Sequence, residues 1–162
     1  MKIVWDLDGV LRDLNGYIMK LYGGGYPDSW DFVGGSGMGV TDTINANLAI
    51  LSDAPPTAYL SVLKKHNSYP EIWTAQPPHW QELTKAWVMA HIGTCTLRFI
   101  KPKEKEILLY KEEDTILIED SPNFKDYDRV LLIDRPYNQR VKALRIYGTK
   151  NLNNMINTLK GI

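Results

Sequence analysis

The chain has 162 residues, of which 19 are basic and 19 acidic, so its formal net charge at pH 7 is zero. This length suits one domain with a small insertion, and the balanced charge gives no support for a long polyanionic partner. The single cysteine, Cys95, excludes an internal disulfide and favours a reducing, cytoplasmic location. No apolar run approaches the roughly 18 residues that a membrane span needs, so we expect no membrane partner.

The first predicted strand, residues 3–5, is a run of Ile, Val and Trp. Such a run without polar alternation is typical of a strand buried on both faces of a parallel sheet. The next segment, residues 15–67, contains two Gly-rich stretches and two helical patterns. Near its end, Asp53 and Pro55 predict the start of a helix that continues to about His66. We interpret residues 15–67 as a small, mainly helical insertion.

After residue 67, apolar runs and helical patterns alternate along the chain. The runs predict four more strands, at residues 71–74, 96–100, 115–118 and 130–133. Apolar residues at helical spacing predict helices at residues 78–91, 103–110 and 152–159. This alternation indicates an α/β fold with a doubly wound, Rossmann-like parallel sheet. The core would then consist of residues 1–14 and 68–162.

Carboxylates follow two of the predicted strands. Asp6 and Asp8 come directly after the first strand, and Glu119 and Asp120 follow the strand at residues 115–118. Because ligand sites of open α/β sheets lie at the carboxyl ends of the strands, we expect these acids to lie close together. Clustered carboxylates repel one another and favour a cation, and their hard oxygen atoms suit Mg²⁺.

A hydroxyl group and several ammonium groups are predicted at the same edge of the sheet. Thr74 ends the second predicted strand, and a turn rich in lysine, with Lys101, Lys103 and Lys105, precedes the next helix. Hydroxyl and ammonium groups bind phosphate oxygens. The sequence therefore predicts a magnesium site beside a phosphate site.

These residues, in this order, resemble the four motifs of the haloacid-dehalogenase-like (HAD) hydrolase superfamily. Asp6-x-Asp8 matches the first motif and Thr74 the second. A lysine that opens the helix before the fourth strand matches the third motif, and Glu119-Asp120 matches the acidic fourth motif. The match covers nearly the whole chain, and it implies a HAD core with residues 15–67 as a helical cap.

The resemblance implies that Asp6 and Asp8 are the catalytic residues. Asp6 would attack the phosphorus atom and form an aspartyl-phosphate, which divides one difficult displacement into two. Asp8 would protonate the leaving oxygen and then take a proton from the attacking water. Dehalogenases of the superfamily lack the acid at the position of Asp8, so its presence favours phosphate chemistry.

The resemblance also implies the ligands of a Mg²⁺ cofactor, which would neutralise developing charge on the phosphoryl group. These ligands are two carboxylates and one backbone carbonyl, those of Asp6, Asp120 and Asp8. Glu119 ranks below Asp120, as a direct or a water-mediated ligand.

The phosphoryl oxygens would be bound by Thr74 and by the lysine of the third motif. We favour Lys105, because its separation from Glu119 leaves room for a two-turn helix and a strand. Lys103 is the second choice and Lys101 the third.

The position of the cap and two further resemblances indicate the substrate. A cap closes over the site, excludes water and contacts the leaving group. Residues 6–11 resemble the opening of the 5′(3′)-deoxyribonucleotidase group, and residues 132–138 resemble a segment of its bacterial and phage relatives. We therefore expect a 5′-nucleotidase whose partner is a small molecule, a nucleoside monophosphate. Five aromatic residues of the cap either stack on the base or, as we prefer, pack the cap itself: Tyr17, Tyr22, Tyr26, Trp30 and Phe32.

Three alternatives stay open: a phosphatase of another small metabolite, a phosphatase of polynucleotide ends, and a catalytically inactive binding module. Residues 129–150 hold six basic residues and one acidic residue, a run that either binds a nucleic-acid backbone or forms a solvated face. The cap up to Asp53 carries four aspartates and one lysine, which disfavours a nucleic acid above the site. Nothing in the sequence indicates an oligomeric state.

Overall fold

The computed structural model describes all residues, 1–162. Its centre is a sheet of six parallel strands in the order β3-β2-β1-β4-β5-β6. The strands are β1 (Lys2–Trp5), β2 (Glu71–Thr74), β3 (Thr96–Phe99), β4 (Thr115–Glu119), β5 (Val130–Ile133) and β6 (Leu144–Ile146). This order is that of a doubly wound, Rossmann-like sheet, so the predicted α/β class is confirmed.

Seven α-helices accompany the sheet. They are α1 (Leu14–Tyr22), α2 (Val40–Ala46), α3 (Ile50–Asp53), α4 (Tyr59–His66), α5 (Pro78–His91), α6 (Pro102–Lys111) and α7 (Thr149–Lys160). A single 3₁₀ turn, Pro136–Asn138, follows β5. None of the helices is both long enough and apolar enough to cross a bilayer.

Burial on both faces explains the continuous apolar runs of the strands. Side chains alternate between the faces of a sheet, and Val4 and Trp5 of β1 accordingly belong to different apolar clusters. Trp5 lies in the larger cluster with residues of α4, α5 and α7. Val4 lies on the other face, where Leu109 of α6 covers it. The sheet is therefore covered by α4, α5 and α7 on one face and by α6 on the other.

The predicted insertion contains a second, smaller apolar cluster. Leu14, Ile18 and Ile44 pack there with residues of α3 and with Trp80 of α5. By contrast, the buried residues of α4 belong to the main cluster against the sheet. Of the residues predicted to form a cap, 15–67, those of α1 to α3 thus pack in a cluster that they share with Trp80 of α5, and those of α4 pack on the sheet. The boundary at residue 67 stays a prediction.

Two details of the predicted elements are wrong. The helix expected from Asp53 begins only at Tyr59, because consecutive prolines at 55 and 56 disfavour helical backbone in the residue before each of them. This stretch instead pairs with the loop after β1, where Asp13 N–H donates to Pro55 O at 2.9 Å and Thr57 N–H to Leu11 O at 2.8 Å. The edge strand β6 was not predicted, because its three residues are too few for a recognisable pattern.

The sheet topology creates a crevice at the end of β1. The chain continues from β1 to β2 on one side, and β4 lies on the other side. Strand order reverses between β1 and β4, and this is where open α/β sheets bind ligands. Asp6 N–H donates to Ile118 O at 2.8 Å, so Asp6 lies beside the end of β4.

Candidate functional site

A tight loop follows β1 and brings Asp8 back over the sheet edge. The backbone carbonyl of Leu7 accepts N–H groups of Val10, Leu11 and Arg12 at 3.3, 2.8 and 2.9 Å. Gly9 has φ +85°, which favours glycine, and a Cβ atom there would collide with the carboxylate of Asp120. The glycine after Asp8 thus allows β1 and the loop after β4 to approach each other.

Lys105 joins acids from the ends of two strands. Its Nζ lies 2.5 Å from Asp6 Oδ1 and 2.6 Å from Glu119 Oε2, and its side chain is only 4% exposed. Lys105 lies in the first turns of α6 and points inward, whereas Lys101 and Lys103 are exposed. Of the three candidate lysines, Lys105 is therefore the one that the fold brings to the acids.

The loop after β4 is fixed by a second set of hydrogen bonds. The Tyr137 hydroxyl donates to Asp120 Oδ2, and Asn138 Nδ2 donates to the backbone carbonyls of Asp120 and Ile133 at 2.9 and 2.8 Å. Glu119 Oε1 accepts the N–H groups of Asp120 and Ser121 at 2.9 and 3.1 Å. Both oxygens of Glu119 thus have donors within the protein, one being Lys105.

Three buried carboxylates meet at this point. Asp6, Glu119 and Asp120 each offer an oxygen, and these oxygens lie within 4.8 Å of one another. All three residues are at most 7% exposed. Hard oxygen ligands at such separations fit a small divalent cation such as Mg²⁺.

The electrostatics of the cluster also favour an additional cation. Burial, followed by the charge of Glu119, raises the pKa of Asp6 to about 8, although Lys105 opposes the rise. Burial and the charges of Glu119 and Asp6 raise the pKa of Asp120 well above its usual value. Burial also acts to raise the pKa of Glu119, but Lys105 and the hydrogen bonds from Asp120 together outweigh it and the pKa is lowered. One ammonium group thus balances three acids incompletely, and a divalent cation would relieve the remaining repulsion.

Asp8 lies outside this cluster and is bound by a separate network. Arg12 Nε donates to Asp8 Oδ1 at 2.7 Å and Arg12 Nη2 to Asp8 Oδ2 at 3.1 Å. Gln76 Nε2 also donates to Asp8 Oδ2, at 2.7 Å. Neither Arg12 nor Gln76 was among the residues predicted from sequence. Both lie in loops, where no periodic pattern shows which way a side chain points.

Thr74 is buried at the carboxyl end of β2, next to β1. Its backbone carbonyl accepts Ile100 N–H at 2.9 Å and so continues the pairing with β3. The structure thus places Thr74 at the predicted edge of the sheet. Its contact with a phosphate stays a prediction.

A cavity of about 460 Å³ opens beside Asp8 and Asp120. Trp30 and Phe32 line its cap side, and Tyr137 lines its core side. The Tyr137 ring stacks on Tyr26, with centroids 6.2 Å apart, and meets the edge of Trp30 at 5.7 Å. Of the five cap aromatics, two therefore line the cavity and a third, Tyr26, supports its wall.

All the ionisable acid and base side chains of the cavity wall are acids. Fifteen residues line the cavity, and they include no Lys, Arg or His. Four of them are aspartates: Asp8, Asp31, Asp42 and Asp120. The cavity therefore repels an anionic group that enters beyond the acid cluster.

No protein-family model matches the chain, and no curated protein matches it either. A functional assignment therefore depends on the chemistry of the site itself.

Proposed function

We propose that this protein is a Mg²⁺-dependent phosphate-monoester hydrolase of the HAD type, with nucleoside monophosphates as its preferred substrates. The observation that carries the proposal is the buried group of Asp6, Lys105, Glu119 and Asp120 at the ends of β1 and β4. A purely structural role explains a paired acid. It does not explain a third buried acid beside a cavity.

In the first step, the Asp6 carboxylate attacks the phosphorus atom and the P–O bond to the leaving group breaks. Lys105 holds Asp6 Oδ1, so the carboxylate is oriented for attack through its other oxygen. The proton of Asp8 goes to the leaving oxygen, whose electron pair came from the broken bond. The products are an alcohol and an aspartyl-phosphate.

In the second step, water attacks the phosphorus atom and gives a proton to Asp8. The bond between phosphorus and Asp6 breaks, and its electron pair returns to the Asp6 carboxylate. Inorganic phosphate leaves, and Asp8 holds the proton that the next leaving group requires. In both steps, the buried charge of Lys105 offsets the negative charge that gathers between Asp6 and the phosphoryl group.

The carboxylates of Asp6 and Asp120 and the backbone carbonyl of Asp8 would hold Mg²⁺. Glu119 ranks below them because Lys105 and two N–H groups already occupy its oxygens. When bound, the ion neutralises charge on the phosphoryl oxygens.

The lining of the cavity favours a substrate whose leaving group is flat and uncharged. Trp30 and Phe32 offer aromatic surface on which a base can stack. The aspartates of the wall accept hydrogen bonds but disfavour a second phosphate. A nucleoside has these properties. Another neutral alcohol of similar size is the second candidate, and the end of a polynucleotide fits less well.

The purified protein should release phosphate from nucleoside monophosphates in the presence of Mg²⁺ and not in the presence of a chelator. Sugar phosphates assayed in parallel separate the two substrate classes, and turnover of sugar phosphates alone would remove the nucleotidase assignment. Asp6→Asn should abolish turnover, whereas Asp128→Asn, an exposed aspartate in the loop after β4, should not. Absence of turnover on all esters would leave only a binding module.

A further inference from the structure

Arg12 is fully buried, although it carries a permanent charge. Its guanidinium contacts Asp8 through two nitrogens and donates through Nη1 to Leu51 O in α3 at 2.8 Å. Its Cζ atom lies 5.4 Å from the centre of the Trp87 ring. We infer that Arg12 and Gln76 are positioning residues, which hold the Asp8 carboxylate where it exchanges a proton with the leaving group and with water.

The network fixes both oxygens of Asp8. The two parallel bonds from Arg12 determine the plane of the carboxylate, because a planar guanidinium fork accepts only one relative orientation. Gln76 Nε2 holds Oδ2 from another direction, at 2.7 Å. The Asp8 side chain thus has little freedom to rotate.

The donors of Asp8 are themselves fixed by α5. Thr84 Oγ1 donates to Gln76 Oε1 at 2.5 Å and accepts Arg12 Nη2 at 3.2 Å. Thr84 is completely buried. Gln76 and Thr84 therefore support the orientation of Asp8 directly or through one neighbour, whereas Arg12 also joins the network to α3.

A structural role alone explains this network poorly. A buried ion pair is often no more stabilising than apolar residues of the same volume, and Arg12 lies against the ring of Trp87, which belongs to the main apolar cluster. Proton transfer, in contrast, needs the donor within hydrogen-bond reach of the reacting oxygen, and a displacement of about 1 Å costs on the order of 10²-fold in rate.

The inference rests on the proposed function and predicts a dependence on the leaving group. When an aryl phosphate with an acidic phenol is cleaved, the phenolate leaves without protonation. When an alkyl phosphate is cleaved, the leaving alkoxide needs the proton of Asp8. Gln76→Leu and Thr84→Val should lower kcat for the alkyl ester by roughly 10- to 100-fold, a part of the about 10²- to 10⁴-fold that general acid catalysis usually contributes. They should lower kcat for the aryl ester far less and leave KM little changed.

Arg12→Lys keeps the charge and loses the fork, so it should show the same preference for the aryl ester. Two controls form no bond with the Asp8 network: Thr115→Val, a buried threonine at the start of β4, and Arg98→Lys, an arginine of β3 whose partners are Glu71 and Glu112. Both controls should leave the ratio of the two kcat values unchanged. Thermal unfolding of each variant identifies those that fail to fold.

Two outcomes would overturn different parts of this account. Equal losses on both esters, or no loss on either, in folded Gln76→Leu and Thr84→Val would reject the positioning role and leave the proposed function intact. A wild-type protein that hydrolyses neither ester with Mg²⁺ would reject the proposed function, and the positioning role with it.

Discussion

Gly9 combines two requirements in one residue. Its φ of +85° is costly for any side chain, and its Cα faces Asp120 at a distance that leaves no room for a Cβ atom. The first requirement is common to many glycines, whereas the second concerns the acid cluster. The two effects can be separated, because Gly93 has a similar φ of +93° and open space around it.

Gly93→Ala should lower the free energy of unfolding by about 1 to 2 kcal/mol, the usual cost of left-handed backbone. Gly9→Ala should lower it by about 1 to 3 kcal/mol more, because of the collision with Asp120. Only Gly9→Ala should weaken Mg²⁺ binding. Denaturant unfolding and calorimetric titration with Mg²⁺ measure the two effects, and equal Mg²⁺ affinities in both variants would contradict the proposed metal site.

The acid cluster should make the metal-free protein less stable as pH rises. The pKa of Asp6 is raised to about 8 in the folded state from 3.8, and that of Asp120 is also raised. Between these values the folded state binds more protons than the unfolded state, so stability falls from about pH 4 to about pH 8. Mg²⁺, bound to the deprotonated carboxylates as proposed, should reduce this slope. Unfolding midpoints at several pH values, with Mg²⁺ in one series and a chelator in the other, measure this dependence of stability on pH. Midpoints that rise equally with pH in the two series would contradict the prediction.

Helix α6 determines which lysine reaches the acids. Pro102 opens the helix, and the turn that follows directs Lys105 toward the sheet while Lys103 stays in solvent. Lys105→Met should cost about 3 to 5 kcal/mol, because it leaves Asp6 and Glu119 buried without their partner. Lys103→Met should change stability by less than about 0.5 kcal/mol. Activity should fall only in Lys105→Met, and a comparable fall in Lys103→Met would contradict the assignment.

The parts of this site that depend on regular elements follow from the sequence. Asp6 and Asp120 come together because the carboxyl ends of parallel strands share one edge of the sheet. Lys105 was preferred because of its spacing from the fourth strand, and the structure brings it to Asp6. Arg12 and Gln76 were not predicted, because the direction of each side chain depends on the path of a loop. Tyr137 lies in a segment noted only for its resemblance, and its bond to Asp120 could not be inferred from that segment.

At the scale of the whole molecule, the acidic wall of the cavity predicts that substrates are selected by charge. Asp31 lines it, whereas Asp28 of the same loop does not. Asp31→Asn should raise kcat/KM for a substrate with a second phosphate by roughly threefold, which is the effect expected of one exposed charge several ångströms away. Asp28→Asn should not change it. Steady-state assays on a nucleoside monophosphate and the matching bisphosphate test this, and equal gains in both variants would point to net charge alone.

The hydrogen bonds that hold Asp120 also have a consequence for how the chain folds during its synthesis. Tyr137 and Asn138 follow β5, and β1 pairs with β4 across the long stretch from Lys2 to Thr115. Asp6 leaves the ribosome 99 residues before its partner Lys105, so the two can meet only after that stretch has been synthesised. Such distant pairing is a slow step of folding. The proposed capture of a divalent ion would therefore follow the assembly of these parts, and a nascent chain that stops before Tyr137 should lack the ion affinity of the full chain.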